Sequence, residues 1–147
     1  MNAEIINTPF TITIYGFSGI ADNEEYAKTA FKLMDKMWAE VKTHQLKHKG
    51  INIWVYDENR SVFAGVELET VPIKETQLEV RTINLPRYAY YKHIGPYQLI
   101  KSAGTAMTNE LTRLGEKTGL PYIEIYGHWN SDETKLETKL LMSLLPR

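Results

Sequence analysis

Two short stretches decide the reading of this chain: Ile53-Trp54-Val55-Tyr56 and, later, Ile123-Glu124-Ile125-Tyr126. In each, β-branched aliphatic residues alternate with larger or charged ones. That is the period of a strand, whose successive side chains leave on opposite faces. Ile53 and Val55 share one face, and Trp54 and Tyr56 the other. Ile123 and Ile125 share one face, and Glu124 and Tyr126 the other. Two matching strands in one chain raise the question of whether their surroundings match as well.

They do. Before the first stretch, Phe10-Thr11-Ile12-Thr13-Ile14-Tyr15-Gly16 alternates and predicts a strand. Asp22 and Glu25 have capping-box spacing, which predicts a helix start. Ala27, Ala30, Phe31, Met34, Trp38 and Val41 then recur at three- and four-residue steps, one helical face with Trp38 in its core. Lys42, Lys47, His48 and Lys49 gather where cations suit the helix dipole, and Gly50 is the expected stop. After Tyr56 comes a turn, Asp57-Glu58-Asn59-Arg60, and a second strand from Ser61 to Leu68.

Past a polar connection with Pro72 the order returns. Glu79 to His93 is rich in strand formers. Gly95-Pro96 opens a helix, with proline at the tolerated first position. Leu99, Ile100, Ala103, Met107, Leu111 and Leu114 form its stripe, and Gly119 and Pro121 are read as its end. Tyr122 to Tyr126 is a strand, Asn130-Ser131-Asp132 a turn, and Leu136 to Leu145 the last strand. Leu136 to Met142 reads as an edge strand or a dimer contact. Both halves thus read strand–helix–strand–strand, about residues 5–72 and 78–147 of a single domain. Further anchors are Thr8-Pro9-Phe10 against Leu85-Pro86-Arg87, and Tyr26 against Tyr97 in the first turn of each helix.

The fold class expected is α+β: duplicated β-α-β-β units forming an antiparallel sheet, with two helices on one face and a ligand cleft on the other. The helices' apolar stripes need partners, and the Ile/Val faces are assigned to them. Trp54, Tyr56, Glu124 and Tyr126 are then left on the far face, as a concave aromatic surface with one carboxylate near the pseudo-twofold. An unpaired buried carboxylate costs several kcal/mol, so it points to use rather than accident. Aromatic faces attract cations by about 0.5–2 kcal/mol per contact. The cleft therefore suits a flat lipophilic ligand that is cationic or hydrogen-bonding. The same setting suits a general acid or base.

Composition narrows the field. The chain has 147 residues, 17 basic against 18 acidic, and no cysteine, which excludes disulfides and cysteine metal sites. A chain of this length buries roughly 68–70% of its unfolded surface without staples. No run approaches the ~20 apolar residues of a membrane span. The N-terminus lacks the basic and apolar regions of a signal peptide, so a cytoplasmic protein is expected. There is no basic stripe of the kind nucleic-acid binders carry, so direct nucleic-acid binding is not expected. Nine Tyr with three Trp and four Phe are the surplus the cleft would absorb.

Plainer readings stand beside the site reading. Glu124 could be a solvated strand residue, Trp54 a cover for the sheet, and Tyr26 and Tyr97 helix-start packing. Tyr90 shares a strand face with Tyr88 and is assigned to the cleft. His93 reads as a turn residue before Gly-Pro. His44 and His48 are four apart, a spacing that places two ligands on one helix face, but with no acidic partner noted no metal is assigned. Trp129, next to a turn, reads as a gate of the cleft or as packing on it. No phosphate-binding glycine loop or nucleophile elbow is present, and no cofactor is expected.

Tyr91-Lys92-His93-Ile94-Gly95-Pro96-Tyr97, the helix after it, and Pro121-Tyr122-Ile123-Glu124-Ile125-Tyr126 resemble the second half of the GyrI-like effector-binding domain. That domain is also found at the C-terminus of AraC-type and MerR-type multidrug regulators. Gly50 to Asp57 and Phe63-Ala64-Gly65-Val66-Glu67 resemble its first half more loosely. The resemblance implies two β-α-β-β units with a ligand cleft between them. It puts the central acid on Glu124 and the helix-start aromatic on Tyr97, with Tyr26 in the symmetric position. It implies a stand-alone protein binding a small hydrophobic or cationic aromatic molecule through Glu124, Trp54, Tyr26, Tyr97, Tyr56, Tyr126 and Tyr90. Two alternatives come with it. One is a hydrolase of electrophilic, cyclopropane-containing toxins, with Glu124 and Tyr97 catalytic. The other is a protein-interaction module partnering a regulator or gyrase. There is no room for a DNA-binding helix-turn-helix.

Overall fold

The computed structural model describes residues 1–73 and 75–147. Its elements run β1 (Glu4–Ile6), β2 (Phe10–Ile20), α1 (Tyr26–Thr43), β3 (Ile53–Tyr56), β4 (Ser61–Val66), β5 (Glu79–Leu85), β6 (Tyr88–Ile94), α2 (Ile100–Arg113), β7 (Thr118–Tyr126) and β8 (Glu137–Leu144). Short 3-10 turns, Tyr97–Leu99 and Glu133–Lys135, precede α2 and β8. The class is α+β with antiparallel strands and two helices, as the sequence predicts. The stretch from Glu79 to His93 is two strands rather than one. It breaks at Pro86-Arg87, where proline has no N–H for a ladder.

The chain forms two compact units: Thr11–Ile83, and Met1–Phe10 together with Asn84–Arg147. In the first, the strands lie in the order β3-β4-β2-β5. Thr13 meets Thr82 and Ser18 meets Glu79, an antiparallel register for β2 and β5. In the second, the order is β7-β8-β6-β1. β8 is therefore an inner strand, hydrogen-bonded to β6 on one side and β7 on the other. It is not the edge strand considered from the sequence.

The β3–β4 hairpin turns where expected, with Asn59 and Arg60 both left-handed at φ 57° and 59°. Gly16 pairs with Gly65 across β2 and β4. A Cβ on Gly16 would lie 1.9 Å from the Ala64 carbonyl oxygen, so only glycine fits.

Helix α1 sets Met37 and Val41 on Phe17 and Val66, with Leu33, Met34 and Trp38 around them. Phe17 and Trp54 both pair with Ala64, so Trp54 is on the face that α1 covers. Helix α2 sets Ile100, Met107 and Leu111 on Ala89, Leu140 and Leu144, with Tyr91, Tyr122 and Tyr126 packed against them. Glu124 pairs with Leu140, so it too is on the helix side. This corrects the expected facing in both units. The aromatic and acidic face lies under the helices, and the Ile53/Val55 and Ile123 face lies opposite. Ile53, Val55 and Ile123 are buried as well. With both faces buried, the contrast that would tell one side from the other is missing from the sequence.

The helix ends also differ from expectation. Asn23 and Glu24 are left-handed, at φ 50° and 62°. They turn the chain so that Glu25, not Asp22, flanks α1, and no side chain caps it. Both helices stop through paired hydrogen bonds of the Schellman kind. Leu46 N–H reaches Val41 O and Gln45 N–H reaches Lys42 O; Glu116 N–H reaches Leu111 O and Gly115 N–H reaches Thr112 O. The left-handed residues that end the helices are Gln45 (φ 53°) and Gly115 (φ 78°); Gly50 is left-handed as well (φ 76°) but lies beyond the end of α1, and the Gly119-Pro121 pair lies within β7.

Gln45 holds this conformation with a Cβ, which costs about 1 kcal/mol. Gln45→Gly is expected to stabilise the fold by about 0.5 kcal/mol after the added chain entropy, read as a higher urea midpoint. Gly16→Ala is expected to destabilise the fold by about 2 kcal/mol or more, read as a lower urea midpoint, because the obstructing atom is backbone.

Candidate functional site

In the second unit, β7 presents Tyr122, Glu124 and Tyr126 in a row on one face, since the three are two residues apart. The Glu124 carboxylate sits between the rings. Tyr122 Oη donates to Oε2 at 3.0 Å, and Tyr126 Oη donates to Oε1 at 2.5 Å. Glu124 is 8% exposed. Charge-assisted bonds of this kind hold a carboxylate in place once water is excluded. The Tyr97 ring meets Tyr126 edge-on, with centroids 5.7 Å apart and planes at 83°. Tyr97 is 39% exposed, and partial burial pushes its phenol above the usual range, so it is a neutral donor at physiological pH.

The first unit repeats this arrangement. Tyr26, the first residue of α1, meets Tyr56 edge-on at 5.9 Å and 74°. Tyr26 corresponds to Tyr97, and Tyr56 to Tyr126, so the duplication read from the sequence extends to ring geometry. Trp54 takes the position of Glu124. It is buried and meets Phe31 edge-on at 5.0 Å and 80°. Phe31 is itself exposed. It belongs to this aromatic group and not to the core of α1. Trp38 is half-buried, and its indole donates to Asn52 at 2.6 Å.

Tyr90 departs from expectation. It pairs with Leu141, which pairs with Ile123, so Tyr90 is on the face opposite Glu124. Tyr91 pairs with Leu140 and is on the Glu124 face instead. Period-2 alternation gives each strand two faces but does not say how neighbouring strands are registered, and the pairing of β6 with β8 sets the face of Tyr90. Tyr122 was missed as a carboxylate partner. Its signal was present, because it has the same parity as Glu124 and Tyr126.

The remaining candidates have local explanations. His93 is buried, and its Nε2 donates to Pro96 O at 3.1 Å, fastening the turn that carries Tyr97. His44 has an acidic partner after all, Glu40 at 2.6 Å, while His48 meets the Trp38 ring at 4.7 Å. Among the described residues, no group of three or more potential ligands could hold a metal. Trp129 is 75% exposed.

A hollow lined by Gly115, Glu116, Lys117, Leu145, Pro146 and Arg147 is a brace rather than a site. Arg87 donates two bonds to Glu116, at 2.8 and 2.7 Å, and Arg147 donates to the same carboxylate. Both guanidiniums are engaged with the one Glu116 carboxylate. The hydrogen bonds from Arg87 and Arg147 lower the Glu116 pKa to about 2 from the ordinary 4.5. The sign follows from the depressed value. The stabilisation is complete above about pH 4.5 and is lost as pH falls toward about 2. Glu116→Gln is therefore expected to be less stable than the wild type at pH 7, with the two converging in thermal melts between about pH 4.5 and 2.

No family model matches the sequence, and no curated protein matches it. Solved structures match its fold. The C-terminal domain of EcmrR aligns at TM-score 0.75 and 16% identity over 99% of this chain and 98% of that one. In the complex of EcmrR with DNA, the match has TM-score 0.71 and 14% identity and covers 97% of this chain but 57% of that one. This chain thus spans little more than half of full EcmrR. SAV2435, solved bound to tetraphenylphosphonium, aligns at TM-score 0.70 and 12% identity over 99% and 94% of the two chains. A hydrolase from Listeria innocua aligns at TM-score 0.58 and 12% identity over 97% and 91%. The resemblance to GyrI-like effector-binding domains holds at the level of the fold. Among the described residues, no helix is long and apolar enough to cross a membrane.

Proposed function

We propose that this protein binds lipophilic aromatic cations, with the Glu124 carboxylate as counter-charge and tyrosine rings as walls. The observation that carries this is a carboxylate 8% exposed, held between two phenols and next to the Tyr97–Tyr126 ring pair. A fixed negative charge with aromatic surface beside it rewards a ligand that brings a cation and rings together. Tetraphenylphosphonium, the ligand in the SAV2435 structure, has that chemistry. Tyr97 and Tyr126 are the proposed contacts beside Glu124. Trp54, Tyr26 and Tyr56, the matching group of the first unit, are proposed ligand contacts as well. A cytoplasmic location accompanies this reading.

A second reading has one observation in its favour. The Tyr126–Glu124 bond, at 2.5 Å, joins a proton donor to a base. An electrophilic substrate could be hydrolysed there, with Glu124 orienting water and Tyr97 or Tyr126 donating the proton. The hydrolase from Listeria innocua shares the fold. A strained cyclopropane-bearing aromatic is the substrate class to try. A regulator or gyrase as protein partner rests on the family resemblance alone.

Calorimetry with tetraphenylphosphonium decides the first reading. The wild type is expected to bind, and Glu124→Gln to lose about 30-fold in affinity, about 2 kcal/mol. Equal affinities would remove Glu124 from the binding role. Incubation with strained electrophiles, followed by product mass, tests the second. Turnover no faster than in Glu124→Gln would dismiss it.

A further inference from the structure

We infer that Gly104, in the interior of α2, is a specificity-determining residue of the Glu124 site, reserving the space that a bulky cation needs. The inference rests on the binding reading above and deepens it. Gly104 is the fifth residue of the fourteen in α2. Among helix-interior residues only proline is less favourable than glycine, so a mid-helix glycine asks for a reason. The usual reasons are missing. Its φ is not among the positive values of the chain, so backbone conformation does not require glycine. Crowding does not require it either. A Cβ built there meets one atom within 4 Å, Tyr122 Oη at 3.6 Å, which is ordinary contact. The resting fold would accept alanine.

That one neighbour is the phenol that donates to Glu124 Oε2. A side chain at position 104 would therefore lie against the tip of the side chain that occupies one carboxylate oxygen. A cation approaching Oε2 has to compete with that phenol. When Tyr122 turns aside, the space it can enter without disturbing the core is the one left by the absent side chain on α2. The neighbouring position on that helix face, Ala103, is small and half-buried. The next turn closes with Met107, which is fully buried. Gly104 thus gives the phenol or the ligand room on α2 beside the carboxylate's donor. A slim cation that leaves Tyr122 in place has no use for this room, whereas a bulky one displaces the phenol and needs it.

The test compares Gly104→Ala with the wild type on two probes, tetraphenylphosphonium and the slimmer benzyltrimethylammonium, alongside thermal melts. Gly104→Ala is expected to raise the melting temperature by about 2–4 °C, through helix propensity. It is expected to weaken tetraphenylphosphonium binding by about tenfold and to leave benzyltrimethylammonium within twofold. If both probes bind the wild type and the variant alike, or weaken in parallel, the inference is overturned while the binding reading stands. A lower melting temperature would show that glycine is needed by the resting fold, and would also overturn it. If neither probe binds the wild type, the binding reading fails and this inference fails with it.

Discussion

The carboxylate of Glu124, gripped on each oxygen by a tyrosine two residues away, is the constraint around which the second unit is organised. A carboxylate removed from water needs donors with fixed geometry. The strand supplies them without a loop, because residues two apart share a face and phenols are long enough to lean back over the one between them. Helix α2 then closes over the row, with Ile100, Met107 and Leu111 packed against Tyr122 and Tyr126. Polar and apolar demands are thus met by the same rings: the hydroxyls satisfy the charge, and the carbon faces join the core.

The first unit meets the same architectural demand without a charge. Trp54 takes the place of the acid, with Phe31 edge-on against the indole, and Tyr26 against Tyr56 repeats the contact of Tyr97 with Tyr126. A duplicated backbone has therefore been given one acidic and one apolar copy of the same position. The pairing of Tyr26 with Tyr56 and of Tyr97 with Tyr126, at 5.9 and 5.7 Å, shows how closely the backbone frame is kept while the central side chain changes. That asymmetry places a carboxylate among the rings of the second unit and an indole at the matching position of the first.

The rest of the second unit steadies this row. His93 ties down the turn that delivers Tyr97 to Tyr126. The two arginines on Glu116 secure the chain just past the end of α2. Gly115 lets that end turn sharply toward β7, whose pairing with β8 shifts register between Thr118 and Tyr122 before the row of Tyr122, Glu124 and Tyr126 begins.

The sequence by itself determined what local periodicity can carry: the repeated order of elements, the position of the β3–β4 turn, the apolar residues of α2, and the identity of Glu124, Trp54, Tyr56 and Tyr126 as the unusual set on their strands. It could not determine which strand face each helix covers. Alternation separates two faces but labels neither, and here Ile53, Val55 and Ile123 are buried even more deeply than the aromatic row. The parity of Tyr90 against Tyr91 was likewise out of reach, because a side chain's face in a sheet depends on register with a distant strand. Helix ends escaped too, since left-handed residues such as Asn23, Glu24 and Gln45 leave little mark in composition. Only the tertiary structure decided these points, because each depends on pairing between segments far apart in the chain.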